Sequence, residues 1–113
     1  ELIATDRVKW SVKYQKKYGI DSGPARDLTQ AQADAIQHIC KRTYRALEMS
    51  GYARIDLRLD QSGNVWVLEA NPNPQIARGE DFAASAENIG LSYEAVLQRI
   101  VNLGLRWHPE SVA

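Results

Sequence analysis

Polar and apolar positions alternate with a period of two along two adjoining runs between Tyr52 and Pro74, YARIDLRLDQSGNVWVLEANPNP. In the first run, Ala53, Ile55, Leu57 and Leu59 alternate with Arg54, Asp56, Arg58 and Asp60; in the second, Trp66, Leu68 and Ala70 alternate with Val67, Glu69 and Asn71. Such alternation marks strands with one buried face. The intervening Gln61-Ser62-Gly63-Asn64 is a turn-type cluster with a glycine available for positive φ, so the stretch predicts a β-hairpin. A four-residue loop over 61–64 sets Asp56 opposite Glu69 and Arg54 opposite Asn71. Directly opposed residues share a face, so these four point one way, and the aliphatic set with Trp66, Leu68 and Ala70 points the other. A five-residue loop would put Asp56 opposite Leu68 and mix charge with apolar side chains on both faces; the pattern therefore selects the four-residue loop.

Elsewhere the periodicity changes. Leu2–Lys9 reads as a strand, with β-branched Thr5 and Val8 among apolar residues. Trp10–Arg26 carries Gly19, Gly23 and Pro24 and reads as a loop. Thr29–Gly51 is helical: Thr29 and Gln32 have capping-box spacing, Gly51 is placed as a left-handed terminator, and Ile36, Ile39, Cys40, Thr43 and Leu47 form an apolar stripe suited to the hairpin's apolar side. Pro72 and Pro74 end the second hairpin strand. Phe82–Asn88 predicts a short helix stopped by Gly90, and Ser92 caps another over Tyr93–Leu103, with Gly104 beyond its end. Leu97, Ile100, Val101 and Leu103 give that helix a core-facing side, and Trp107-His108-Pro109 is a tail. The fold class is α+β: an antiparallel β-sheet of about three or more strands with helices packed on one face, in a single domain over residues 1–113.

Composition narrows the function classes. Fourteen basic and fourteen acidic residues cancel, which gives no general attraction to nucleic acid or to an anionic membrane. The Lys9, Lys13, Lys16, Lys17 cluster with Trp10, Tyr14 and Tyr18 could stack on single-stranded nucleic acid, but no wider basic surface supports it. No apolar run reaches the roughly 18 residues of a membrane span, and no stretch of this sequence reads as a signal peptide. The single cysteine, Cys40, allows no internal disulfide; it fits a cytoplasmic setting and reads as a buried, inert thiol in the helix stripe. The two histidines, His38 and His108, make no cluster with it, so zinc lacks ligands. The chain starts at Glu1, without a methionine, directly in a strand-like run, as expected of a piece of something longer.

Asp56, Glu69 and the Asn71 carbonyl are hard oxygen donors suited to Mg²⁺, an ion that takes one or two protein carboxylates and completes its shell with water and phosphate. A solvated hairpin face, with Arg54 and Arg58 neutralising the acids, satisfies the same spacing. The larger pattern is more specific. An Arg-x-Asp on one strand, a Glu 13 residues after that Asp, and Leu-Glu-Ala-Asn-Pro-x-Pro around it resemble the carboxy-terminal part of the ATP-grasp enzymes, in particular the D-alanine–D-alanine ligase family. The resemblance covers the whole chain, strongly from 52 to 74.

That resemblance implies an ATP-dependent carboxylate–amine ligase acting on an amino acid or peptide through an acyl phosphate. Asp56, Glu69 and Asn71 would bind two Mg²⁺, with Mn²⁺ as an alternative, and Glu69 would be shared between the ions. Arg54 would act catalytically near the acyl phosphate. The Tyr14–Tyr18 segment is similar to the loop that covers the nucleotide in these ligases, which gives Lys17, or its neighbour Lys16, a phosphate of ATP as partner. The fragment alone would be inactive, needing the remainder of the ATP-grasp chain. One departure is plain: Gln75 replaces the family's glycine, and Arg78-Gly79-Glu80-Asp81 replaces small hydroxyl residues that help hold the acceptor's carboxylate. Two acids suit an ammonium group there, or else cap the next helix. The altered loop also leaves open a non-catalytic ATP-grasp-derived domain that binds a protein or peptide.

Overall fold

The computed structural model describes residues 16–17 and 23–109. Their elements run α1 (Gln30–Ala46), β1 (Arg54–Leu59), β2 (Val65–Asn71), α2 (Asp81–Asn88) and α3 (Tyr93–Leu105). The strands form a two-stranded antiparallel sheet, so the class is α+β as the periodicity predicts. The strand expected over Leu2–Lys9 lies outside the described residues, as does most of Trp10–Arg26. Within that segment Lys16 and Lys17 are helical and exposed, where a loop was predicted.

The capping box at the start of α1 is closed on both sides. The Gln32 N–H donates to Thr29 Oγ1 at 3.1 Å, and the Thr29 N–H donates to Gln32 Oε1 at 2.9 Å. Ile36, Ile39, Cys40 and Thr43 are half-buried along the predicted stripe, and α1 packs against β2. The helix stops earlier than expected. Its C-cap is Leu47, and Glu48 takes the left-handed conformation at φ 52°. The Glu48 N–H donates to the Arg45 carbonyl and the Met49 N–H to the Tyr44 carbonyl, each at 3.0 Å, which is a Schellman closure. Leu47 leaves the stripe and is 58% exposed. Gly51, also at positive φ (71°), serves the bend into β1, where its carbonyl accepts the Tyr44 hydroxyl at 2.8 Å.

The hairpin departs from regular pairing in one place. At its base Arg54 pairs with Asn71, Ile55 with Ala70 and Asp56 with Glu69, as predicted. Towards the tip Leu57 pairs with Val67, Arg58 with Trp66 and Leu59 with Val65, so β2 carries one extra residue, Leu68, as a bulge. The loop is correspondingly shorter than the predicted four residues. The Asp60 N–H donates to the Asn64 carbonyl at 2.9 Å and the Gly63 N–H to the Asp60 carbonyl at 3.0 Å, which leaves 61–63 as a three-residue turn with Gly63 at φ 84°. Trp66 therefore lies on the polar face beside Arg58, not with the aliphatic set, and Leu68 is 65% exposed.

Beyond β2, α2 and α3 pack on each other and supply the two buried apolar residues among those described, Ala83 and Val96; Pro74 is buried in the connection. Ser92 caps α3 by accepting the Ala95 N–H at 3.2 Å. Gly104, expected beyond this helix, is inside it, since the C-cap is Arg106. Val101 and Leu103, expected to face the core, are 53% and 45% exposed. Among the described residues no helix is long and apolar enough to cross a membrane.

Candidate functional site

The base of the hairpin gathers the predicted set. Asp56 and Glu69 are directly opposed across the ladder, and the neighbouring same-face pair is Arg54 and Asn71. Arg54, Asp56 and Asn71 are half-buried; Glu69 is exposed. A guanidinium offsets the charge concentrated here. Arg54 Nε donates to Asp56 Oδ1 at 2.9 Å and Nη2 to Oδ2 at 3.3 Å, a two-pronged pair along one strand rather than across the ladder. The hydrogen bond to Asp56 raises the Arg54 pKa above its ordinary value, and the charges of Asp56, Glu69 and Asp81 add to it. Asp81, the first residue of α2, thus joins the field around Arg54.

Asn71 is oriented by its own backbone. Its Oδ1 accepts the Asn73 N–H at 2.8 Å, an Asx turn that fixes the amide at the end of β2. A carbonyl oxygen has two lone pairs, so this bond leaves acceptor capacity on Oδ1. Two carboxylates and one amide oxygen on a common, partly wet face match the donor chemistry of Mg²⁺. Among the described residues no group of three or more His, Cys, Asp or Glu side chains is assembled to hold a metal; the set here counts two carboxylates and an amide. Cys40 is half-buried, and burial pushes its thiol pKa up, in keeping with an inert side chain. It lines a cleft of about 470 Å³ with Lys41, Tyr44, Arg45, Ala53 and Ile55, on the apolar side of the hairpin.

The acids after β2 take the helix-start positions of the capping reading, without a side-chain capping bond. Glu80 is the N-cap of α2 but makes no side-chain capping bond, while Asp81 stands in the first turn, where the helix dipole favours it. Arg78 turns the other way. Its guanidinium lies 4.4 Å from the Tyr93 ring centroid, and its Nη2 donates to Glu94 Oε1 at 2.6 Å. That pair lowers the Glu94 pKa. Sequence reasoning missed two hydrogen bonds, one beside the site and one at the hairpin tip. Tyr52 donates its hydroxyl to Asn73 Oδ1 at 3.1 Å, and Trp66 donates its indole N–H to Asp60 Oδ2 at 3.0 Å. An Asn two residues after Asn71, set between prolines, was the available signal for the first; the bulge hid the second.

Residues 4–102 match the family model described as the D-ala D-ala ligase C-terminus. The bifunctional enzyme MurC/Ddl of Chlamydia pneumoniae is 31% identical over 96 residues, covering 80% of this chain and 12% of that protein. The D-alanine--D-alanine ligase of Bordetella petrii is 37% identical over 93 residues, 79% of this chain and 28% of the ligase. That of Haemophilus influenzae (strain PittEE) is 33% identical over 96 residues, 81% and 32% respectively. The chain therefore spans under a third of the length of these relatives.

Proposed function

Because the chain belongs to the family of D-alanine–D-alanine ligase carboxy-terminal domains, we propose that it is the ATP- and metal-binding part of a carboxylate–amine ligase, completed by the remainder of an ATP-grasp chain. The observation that carries the reading is the directly opposed Asp56–Glu69 pair with Arg54 and Asn71 beside it on the same face. Asp56, Glu69 and Asn71 would hold two Mg²⁺, or Mn²⁺, between protein and nucleotide. Bound there, the ions would screen the triphosphate and the charge moving during phosphoryl transfer.

The chain's own residues have distinct tasks in this reading. Glu69, the exposed member of the set, would be the carboxylate shared between the ions, as the resemblance implies. Arg54 is paired with Asp56; with Asp56 engaged as a metal ligand, its guanidinium would be available to stabilise the acyl phosphate on a substrate carboxylate and the oxyanion formed on attack by the amine. Lys16 and Lys17 would meet the ATP phosphates as point charges. The acids at Glu80 and Asp81, with Arg78 withdrawn to Tyr93 and Glu94, leave the acceptor side negatively charged, which favours an acceptor amino acid or peptide carrying an ammonium group.

The test is ATP-dependent phosphate release by the full-length polypeptide over a panel of amino acids and short peptides. Glu69→Gln should abolish release while leaving the melting temperature near that of the wild type. Acceptor-independent behaviour in both proteins, with no phosphate released, would favour the non-catalytic binding domain instead.

A further inference from the structure

Asn71 is the weakest donor of the proposed set. It is a neutral amide, and it occupies the last position of β2, where a strand end has least support. A neutral ligand gains less from charge than a carboxylate does, so its contribution depends more on being aimed in advance. The structure supplies a chain of contacts that aims it. Asn71 Oδ1 accepts the Asn73 N–H at 2.8 Å, and Asn73 Oδ1 in turn accepts the Tyr52 hydroxyl at 3.1 Å. The Tyr52 ring packs on Phe82 of α2, with centroids 5.5 Å apart and planes tilted by 59°.

The route joins three parts of the fold. Tyr52 precedes β1, Asn73 follows β2, and Phe82 lies in α2, so the contacts tie both ends of the hairpin to the helix that delivers Asp81 towards Arg54. Proline flanks Asn73 on both sides. Pro74, which is buried, restricts the preceding residue to extended backbone, so the Asn73 N–H and side chain are presented from a stiff segment.

We propose that Tyr52 and Asn73 are positioning residues for Asn71, a hydrogen-bonded relay that holds its amide oxygen ready for a divalent cation. The proposal rests on the metal-binding reading above. Groups that orient a ligand in this way commonly matter to metal affinity by about 10- to 100-fold. Here the relay is partly exposed and acts on one ligand, so loss of one link should weaken binding by about three- to ten-fold, the range for a single hydrogen bond.

The test is Mn²⁺ binding to the full-length polypeptide in the presence of ADP, followed by the paramagnetic resonance signal of free Mn²⁺, with melting temperatures of the same samples. Tyr52→Phe keeps the ring on Phe82 and removes only the hydroxyl; Asn73→Ala keeps the backbone N–H and removes the side-chain link. Both should raise the Mn²⁺ dissociation constant about three- to ten-fold, with melting within about 2 °C of the wild type for Tyr52→Phe. Unchanged affinity in both variants, with Glu69→Gln still weakening binding, overturns the relay and leaves the site standing. Wild-type affinity in Glu69→Gln removes the site, and the relay with it. A fall in affinity matched by a large fall in melting temperature for Tyr52→Phe marks a merely structural hydroxyl and also overturns the proposal.

Discussion

Replacing Arg54 with methionine should move metal binding and turnover in opposite directions. The Arg54 guanidinium occupies both oxygens of Asp56, at 2.9 and 3.3 Å. A cation that engages Asp56 must first displace it. For unit charges about 4 Å apart the attraction ranges from about 1 kcal/mol in water to about 4 kcal/mol at an effective dielectric of 20. The two side chains are 29% and 40% exposed, so solvent screening places the pair near the lower end, at about 1 kcal/mol. Arg54→Met removes that competitor and its direct repulsion of a divalent ion. The nucleotide-free protein should then bind Mn²⁺ about five-fold more tightly, the factor that about 1 kcal/mol represents.

Turnover should fall by about 100-fold or more in the same variant, as when a donor aimed at developing negative charge is lost. Arg54→Lys should restore part of the competition, because it returns the charge without the two-pronged geometry. Calorimetric titration of Mn²⁺ into nucleotide-free protein measures the first effect, and phosphate release the second. An unchanged or weakened Mn²⁺ affinity in Arg54→Met would refute the view that Arg54 and a cation compete for Asp56.

Glu48→Gly should stabilise the fold by about 0.5–1 kcal/mol, because φ 52° at the helix terminus suits glycine better than a side chain with a Cβ; thermal melting should rise by a few degrees. At the hairpin tip, the Trp66 indole and then the Asn64 N–H hold the Asp60 pKa below its ordinary 3.8. A depressed carboxylate stabilises the fold above its unfolded pKa and loses that contribution as pH falls through the folded one. The Trp66 indole N–H resonance should therefore shift below about pH 3.8, and should stay flat over that range in Asp60→Asn. Deleting Leu68 should regularise the ladder without disturbing the Asp56–Glu69 pairing, since the bulge absorbs only that residue; backbone contacts between residues 56 and 69 by nuclear Overhauser effect should persist, and a shift of Asp56 to face Ala70 would contradict this register.

The candidate site was legible because its geometry depends on local pairing and on residue chemistry that alternation exposes. Asp56 opposite Glu69 followed from the hydrophobic pattern alone, although through a loop one residue too long and a ladder with no bulge. The two departures offset each other at the base of the hairpin: the three-residue turn shifts the register by one, and Leu68 shifts it back. Between them the reading failed. Trp66 alternates with Val67 as a core residue would, yet pairs with Arg58 and gives its indole N–H to Asp60. The sequence did contain the competing signal, since Asp60-Gln61-Ser62-Gly63-Asn64 supports a tight turn with glycine at the left-handed position as well as a longer loop.

Helix ends were harder for a related reason. Glycine is the usual left-handed terminator, and the sequence predicts Gly51 as one and Gly104 beyond its helix; the fold ends α1 at a left-handed Glu48, uses Gly51 at positive φ for the bend into β1, and keeps Gly104 inside α3. At Glu48 the decision lies with the Arg45 and Tyr44 carbonyls, which gain donors from two successive N–H groups, while the Tyr44 hydroxyl holds the chain's return at Gly51. Net gains of about 1 kcal/mol per hydrogen bond exceed or match the cost of one left-handed glutamate, so propensity loses to closure. The same balance governs the end of β2. Tyr52 carries no signal of its own in the sequence, and its hydrogen bond to Asn73 exists only because the hairpin brings position 52 alongside position 73. Residue type announced which atoms could hold a cation; what holds two of those residues, Arg54 on Asp56 and the Asn73 N–H on Asn71, appears only in the folded chain.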